Sequence, residues 1–230
     1  MKRISVDIGG TFTDCFVVWN GKYIETKALT THHNLALGFN EAVEKAYTEL
    51  DISMEEILAG VDSVRYATTF GTNALIEHNG PRIGMLVTAG FEAMVPLSRA
   101  RGYGEGLDDL GKQNLPDAQR PTPLVMPHMI EGVRERLGFE GELVMPLDEA
   151  DVRNKIRTLV DKGAQVIVVC LVNSVVNPVH EKQVERILLE EYPTHLLGSI
   201  PVILSHRVAG RKGEYVRATS AIIDGYLHST

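Results

Sequence analysis

One short segment near the start of the chain carries residue types that suit phosphate binding. It reads Asp7-Ile8-Gly9-Gly10-Thr11-Phe12-Thr13-Asp14. Two adjacent glycines let a ligand approach the backbone and leave amide groups free to donate hydrogen bonds. Nearby threonines add hydroxyl donors, and a carboxylate at a strand end can hold a hydrated Mg²⁺ ion. The predicted phosphate-binding residues are Gly9, Gly10, Thr11, Thr13 and Asp14, with Asp7 as a ligand of Mg²⁺ through water.

The elements on either side of this turn narrow the kind of site. Ile4–Ile8 before it and Asp14–Trp19 after it are both β-rich, so we predict a strand on each side. A Walker loop or a dinucleotide-binding fingerprint needs a helix directly after its glycines, and both are therefore excluded. Two interpretations remain. The turn either presents its amides to a phosphate, or it is an ordinary hairpin turn in which Asp7 caps the backbone.

Two further polar segments could bind a substrate or an anion. Residues 68–73 read Thr-Thr-Phe-Gly-Thr-Asn and open a predicted helix, which suits either anion binding or plain N-capping. Two arginines lie in the later Gly- and Pro-rich segment 95–127 and could clamp a carboxylate, bicarbonate or phosphate, or simply be surface residues. The candidates are Thr68, Thr69, Thr72, Asn73, Arg99 and Arg101.

The cysteines and histidines of the sequence do not indicate a metal site or a reactive thiol. Cys15 and Cys170 each stand within an apolar run, which predicts buried thiols and no disulfide framework. The eight histidines do not cluster at ligand spacing. Glu214 and Arg217 stand three residues apart on a predicted helix and are expected to form a structural ion pair.

Composition and charge exclude other classes of protein. The 230 residues are 44% hydrophobic, which suffices for a real core, and the net charge of -7 argues against nucleic-acid binding. No signal peptide and no membrane-spanning run is predicted, so we expect a cytoplasmic protein.

The elements that must position these residues alternate in a way typical of α/β proteins. Strands at the start and a hairpin signal at Asn20–Gly21 precede a helix over about 34–50, and strands and helices alternate to the end. We predict three parts: residues 1–33 as an opening hairpin sheet with the phosphate turn, 34–200 as an α/β domain, and 201–230 as a strand and helix leading into a missing lobe.

Several separated motifs resemble one family, the hydantoinase A/5-oxoprolinase/acetone carboxylase family, and their order along the chain is the same. The glycine turn resembles the opening of that family. The others that carry the resemblance are Tyr66–Glu77, Gly84–Phe91, Asn177–Glu181 and Glu214–Thr219.

The resemblance implies a ribonuclease H-like lobe of the actin, hexokinase and sugar kinase type, with an additional α/β unit and a mixed sheet. It also implies ATP, with Mg²⁺ or Mn²⁺, and phosphoryl transfer to a poorly reactive carbonyl compound. Asp7 would then be the catalytic residue. Other subunits of the same enzyme and a small carbonyl substrate are the expected partners, without nucleic acid or membrane.

Two departures from the family pattern bear on function. No second phosphate motif of the Asp-x-Gly-Gly-Thr type occurs in these 230 residues, so we expect only half of a nucleotide site. In the loop Ser98–Leu107, a Gly-Tyr segment after the arginine pair resembles the ketone carboxylase branch, such as acetone or acetophenone carboxylase, and favours that branch. A cyclic-amide hydrolase of the hydantoinase or oxoprolinase kind, a nucleotide-sensing module and a purely structural subunit remain as alternatives.

Overall fold

The structure is a computed structural model that describes residues 1–98, 102–114, 116, 118, 120–193 and 198–228. It divides the chain into two compact units, Met1–Glu77 and His78–Thr230. Both units mix helices and strands, so the predicted α/β class is confirmed. No helix within the described ranges is long and apolar enough to cross a membrane.

The first unit is built on a four-stranded sheet. Its elements are β1 (Lys2–Ile8), β2 (Phe12–Trp19), β3 (Lys22–Leu29), α1 (Leu35–Glu49), α2 (Met54–Gly60), β4 (Ser63–Thr68) and α3 (Phe70–Glu77). The strand order is β3-β2-β1-β4. The pairs β1–β2 and β2–β3 are antiparallel, whereas β4 is parallel to β1, which makes this the predicted mixed sheet.

Alternation of side chains gives this sheet one buried and one open face. The apolar residues of β1 are buried, whereas Ser5 and Asp7 between them lie on the open face. Helix α1 covers the buried face with Gly38, Ala42 and Ala46. The open face therefore presents the side chains of alternate residues on all four strands, including both carboxylates of the glycine turn, Asp7 and Asp14.

Helix α1 lies close to the sheet at Gly38. A Cβ atom at this position would stand 2.7 Å from the carbonyl oxygen of Leu29 and 3.3 Å from Thr13 Oγ1. The Gly38 amide also donates to Thr31 Oγ1 at 3.1 Å. The lack of a side chain at residue 38 therefore lets the helix rest directly on the strand ends beside the glycine turn.

The second unit contains a parallel sheet and a short hairpin. Its elements are β5 (Ile83–Thr88), α4 (Met94–Leu97), β6 (Ile130–Val133), β7 (Arg136–Leu137), β8 (Leu143–Met145), α5 (Glu149–Asp161), β9 (Val166–Cys170), α6 (Val179–Glu191), β10 (Val202–Leu204), α7 (Ser205–Val208) and α8 (Glu214–Leu227). The parallel sheet has the order β10-β9-β5-β6, and β7 pairs with β8. Its central strands β5 and β9 are buried along their whole length.

The boundaries of these units differ from the three predicted parts. Helix α1 packs on β2 and β3, so residues 34–77 lie in the same unit as the opening hairpin. Strand β10 pairs with β9, so residues 201–230 belong to the second unit. Residues 130–133 join the parallel sheet through β5, whereas Arg136–Leu137 pairs with Leu143–Met145 in the short hairpin.

Buried polar side chains join the carboxyl ends of the parallel strands. Glu135, after β6, is hydrogen-bonded to the Thr88 hydroxyl at the end of β5 and to His180 Nδ1 at 2.6 Å. Thr88 Oγ1 also accepts from the amide of Val172, after β9, at 2.9 Å. All of these side chains are almost fully buried, so the bonds form a closed polar cluster inside the unit.

Glu181 makes the second half of this cluster and is fully buried. Its Oε1 accepts from the Leu171 amide at 3.0 Å and the Ser205 hydroxyl at 2.6 Å. Its Oε2 accepts from the amide and Nδ1 of His206 at 3.2 and 2.6 Å. Burial alone would raise the pKa of this carboxyl, but the hydrogen bonds from His206, Ser205 and Leu171 outweigh it and lower the pKa. Ser205 Oγ in turn accepts from Arg217 Nε at 3.0 Å.

Candidate functional site

The glycine turn is held by hydrogen bonds on its inner side. The Gly9 amide donates to the Phe12 carbonyl at 2.9 Å, which closes the hairpin. Thr30, just after β3, donates through its amide to the Thr11 carbonyl at 3.0 Å and through its hydroxyl to the Gly9 carbonyl at 2.9 Å. Thr13 Oγ1 lies 3.0 Å from the Thr30 hydroxyl. The turn is thus fixed by residues from all three antiparallel strands.

The outer side of the turn presents two free amides. The N–H groups of Gly10 and Thr11 donate to no acceptor in the part of the chain that the structure describes, and both residues are exposed. A Cβ atom at Gly10 would have Asn73 Nδ2 as its nearest neighbour, at 3.8 Å. There is consequently open space beside Gly10, which lets a ligand such as a phosphate approach the backbone of the turn.

Thr13 takes a different position from the other predicted donors. Its side chain is fully buried and its hydroxyl is engaged with Thr30. This arrangement suits a residue that braces the turn, while Thr11 keeps its hydroxyl on the exposed side. Thr30 is a supporting residue that sequence reasoning missed, since nothing in the pattern of β3 indicates that its end reaches the glycines.

The two carboxylates of the motif lie side by side on the open face of the sheet. Asp7 of β1 is directly opposite Asp14 of β2, and Asp14 is opposite Lys27 of β3. Lys27 Nζ forms an ion pair with Asp14 Oδ1 at 3.0 Å. Asp7 has no hydrogen-bond or ion-pair partner among the described residues. The negative charge of Asp7 is therefore available for a cation, whereas the charge of Asp14 is already neutralised by Lys27.

The polar segment at residues 68–73 meets the glycine turn. Thr68 Oγ1 donates to the Ile8 carbonyl at 3.2 Å and accepts from the Phe70 amide at 3.1 Å, so it both caps α3 and joins β4 to β1. The Asn73 side chain reaches the neighbourhood of Gly10. Two motifs about 60 residues apart thus form one surface, to which Thr69 and Thr72 contribute exposed side chains. Arg99 and Arg101 lie outside the described residues.

A cavity of about 620 Å³ adjoins Asp7 on the open face of the sheet. We call it the sheet-face cavity. It is lined by Ser5, Val6, Asp7, Asp14, Cys15, Phe16, Glu25, Arg65, Tyr66 and Ala67. Cys15 has a thiol whose pKa is raised by burial, against the effect of a hydrogen bond with Thr26, so it is not a ready nucleophile.

Metal binding has one candidate ligand at this surface. Within the described ranges, no three His, Cys, Asp or Glu side chains gather closely enough to hold a metal ion by themselves. Mg²⁺ commonly keeps several waters and binds through one or two carboxylates together with phosphate oxygens. Asp7, unpaired and next to the free amides, fits that mode of binding.

Comparison with known proteins gives consistent matches along the chain. Residues 3–192 match the family model described as the hydantoinase/oxoprolinase N-terminal region. The chain is 42% identical over 227 residues to the acetophenone carboxylase gamma subunit of Aromatoleum aromaticum, covering 99% of this chain and 31% of that protein.

Two solved structures are similar over nearly the whole chain. A nucleotide-free structure of acetone carboxylase, from work on ATP-dependent acetone carboxylation, has a TM-score of 0.90 at 30% identity, covering 100% of this chain and 33% of that one. The ATP-dependent caprolactamase of Pseudomonas jessenii has a TM-score of 0.80 at 28% identity, covering 98% and 31%. The chain therefore spans about a third of the length of these relatives.

Proposed function

Because this chain belongs to the hydantoinase/oxoprolinase N-terminal family, as its motifs predicted, we propose that it is the nucleotide-phosphate-binding part of an ATP-dependent enzyme. The observation that carries the proposal is the exposed turn whose Gly10 and Thr11 amides have no acceptor within the described ranges and stand near Asp7, which has no ion-pair partner there. A phosphate group would accept from both amides. The parallel fourth strand beside three antiparallel strands supports the related proposal of a ribonuclease H-like lobe.

The roles of the residues follow from their positions. Asp7 would hold a hydrated Mg²⁺ ion, which would neutralise charge on the phosphates, with Asp14 beside it and partly neutralised by Lys27. Thr11 would add a hydroxyl donor, and Thr68 and the start of α3 would close the other side of the surface. Catalysis in such a site rests on positioning and charge neutralisation rather than covalent chemistry.

The reaction we propose is phosphorylation of a carbonyl compound. An oxygen of the acceptor forms a new bond to the γ-phosphorus of ATP while the bond to the bridging oxygen breaks, and ADP leaves with that electron pair. The 42% identity to a subunit of acetophenone carboxylase favours a ketone as the compound that is activated, for carboxylation. The likeness to the caprolactamase structure favours a second candidate, in which ATP drives hydrolysis of a cyclic amide.

Partner subunits belong to the same proposal. The acetophenone carboxylase relative is a gamma subunit, so we expect this chain to work with other subunits. The sequence contains one phosphate motif of the Asp-x-Gly-Gly-Thr kind, so the remaining contacts to the nucleotide would come from elsewhere in the assembly.

Substitution of Asp7 tests the proposal. In the purified enzyme with all its subunits, Asp7→Asn should lower substrate-dependent ATP hydrolysis by about 100-fold or more, with no change in melting temperature. Glu49→Gln, which removes an exposed carboxylate at the end of α1, is the matched control and should leave the rate unchanged. Full activity of Asp7→Asn would show that the phosphate role of this turn is wrong. A panel of ketones and cyclic amides in the same assay separates the two candidate reactions.

A further inference from the structure

The sheet-face cavity contains polar side chains that have no partner among the described residues. Ser5, Glu25 and Arg65 have no side-chain hydrogen bond or ion pair with any described residue, and Asp7 is likewise unpaired. Each of these residues is exposed, so water solvates its polar group and leaves it free to bind a ligand that enters. Here they line one concave space of about 620 Å³, which is the size of a small-molecule site.

Strand register places these groups in two rows across the sheet. One row consists of Arg65, Ser5, Phe16 and Glu25, in the order of strands β4, β1, β2 and β3. The next row towards the glycine turn consists of Ala67, Asp7, Asp14 and Lys27. Residues two apart on a strand are about 7 Å apart, which is the length of an extended arginine side chain, so the Arg65 guanidinium can reach a ligand oxygen that lies beside the Asp7 carboxylate.

The chemistry of the rows differs from one side to the other. Phe16 gives the cavity an aromatic floor and is 43% exposed. Arg65 and Ser5 supply hydrogen-bond donors at the β4 side, Glu25 places a carboxylate at the β3 side, and the carboxylates of Asp7 and Asp14 stand nearer the turn. Ala67 is the register neighbour of Asp7, so only a methyl group stands beside that carboxylate on β4. A ligand that suits this space has an apolar part for Phe16 and an oxygen for Arg65.

We propose that the sheet-face cavity binds the carbonyl compound that accepts the phosphoryl group, with Arg65 as the residue that anchors its oxygen. The inference rests on the proposed function. If the phosphates of ATP bind at the turn amides near Asp7, the compound that accepts the phosphoryl group must bind next to them, and the sheet-face cavity adjoins Asp7. Phe16 packs against the apolar substituent, which selects a ketone or a cyclic amide over a fully polar compound. A guanidinium suits an oxygen that gains negative charge, since its hydrogen bonds to charged acceptors are stronger than neutral ones.

The test compares two arginines on the same sheet face. Arg65→Gln removes the proposed anchor, and Arg3→Gln makes the same change of charge two residues before Ser5 on β1, away from the turn. The whole enzyme with its subunits is assayed with acetophenone, acetone and caprolactam as probes. Arg65→Gln should raise KM for the accepted probe by about 10- to 100-fold, the loss of one charge-assisted hydrogen bond. Arg3→Gln should leave that KM unchanged.

Two further measurements separate this inference from the proposed function. The KM for ATP and the affinity for a non-hydrolysable ATP analogue should be unchanged in Arg65→Gln, and saturation-transfer NMR should show weaker binding of the probe alone. An unchanged KM for the carbonyl probe in Arg65→Gln, in an enzyme that still depends on ATP, would overturn the cavity assignment alone. Activity that needs no ATP in the unaltered enzyme would overturn the proposed function instead.

Discussion

Replacement of Glu181 by Gln should destabilise the second unit strongly, although the two side chains have the same shape. The carboxylate of Glu181 accepts four hydrogen bonds, two at each oxygen. The glutamine keeps one acceptor oxygen for Leu171 and Ser205, but it turns an amide group towards the two donors of His206. Hydrogen bonds to a charged group contribute about 1.5–3 kcal/mol each, and the lower cost of burying a neutral side chain offsets part of that loss. We expect a decrease of about 2–4 kcal/mol in the free energy of unfolding.

The matched control lies one turn later on the same helix. Glu185 forms an ion pair with Arg207 at 2.5 and 2.8 Å, but Arg207 is about half exposed. Such exposed pairs contribute at most about 1 kcal/mol, so Glu185→Gln should cost less than that. Urea unfolding followed by circular dichroism measures both variants, and hydrogen exchange of residues 198–228 localises the effect.

The pH dependence gives a second check on the same carboxylate. The pKa of Glu181 is lowered in the folded state, so its contribution is present above the unfolded range near about 4.3 and is lost as the pH falls through the folded pKa. The difference in stability between wild type and Glu181→Gln should therefore be full at pH 7 and shrink below about pH 4. A cost of Glu181→Gln no larger than that of Glu185→Gln at pH 7, or a difference that does not change with pH, would refute the reasoning.

Two other changes follow from packing and from burial. Gly38→Ala should lower the stability of the first unit by about 1–3 kcal/mol, because its methyl group would meet the Leu29 carbonyl oxygen at 2.7 Å. The fluorescence of Trp19, the single tryptophan, measures the unfolding of that unit. A variant as stable as the wild type would contradict the close approach of α1. Burial raises the pKa of the Cys170 thiol to about 11, so iodoacetamide at pH 8 should leave Cys170 unmodified in the native protein and alkylate it in urea. Rapid alkylation of the native protein would contradict the burial of this thiol.

Local patterns predicted much of the architecture correctly. The Asn20–Gly21 turn is confirmed, with φ values of 49° and 85° that suit this dipeptide in a hairpin. Ser53 caps α2 by accepting from the Glu56 amide at 3.1 Å, as its spacing indicates. These features depend on residues close together in the chain, and such residues leave a readable signal.

Contacts between distant residues were not predictable in the same way. The pairing of β1 with β4, which brings Thr68 to the Ile8 carbonyl, joins segments 60 residues apart and has no local signal. The burial of Glu181 was missed for the same reason, because a glutamate in the first turn of a helix usually faces solvent and here its donors come from β9 and α7. Arg65 also escaped notice, since its relation to Asp7 exists only in the sheet register.

The predicted ion pair of Glu214 and Arg217 shows how a local expectation can be correct and incomplete. The two side chains are 3.7 Å apart, as i, i+3 spacing allows. Arg217 is fully buried, however, and it also donates to the Leu171 carbonyl at 2.7 Å and to Ser205. Its main role in the fold is to complete the buried cluster around Glu181, which only the arrangement of strands and helices determines.

Hydrogen exchange at the glycine turn tests the central claim most directly. A non-hydrolysable ATP analogue with Mg²⁺ should slow exchange of the Gly10 and Thr11 amides in the whole enzyme, because both would donate to a phosphate. Gly10→Ala, whose methyl group has room in the free protein but would hinder a phosphate from approaching the backbone, should abolish the protection, and Gly210→Ala, where the space is also open, should retain it. Nucleotide binding that leaves both amides unprotected, or Gly10→Ala that binds as tightly as wild type, would contradict the account.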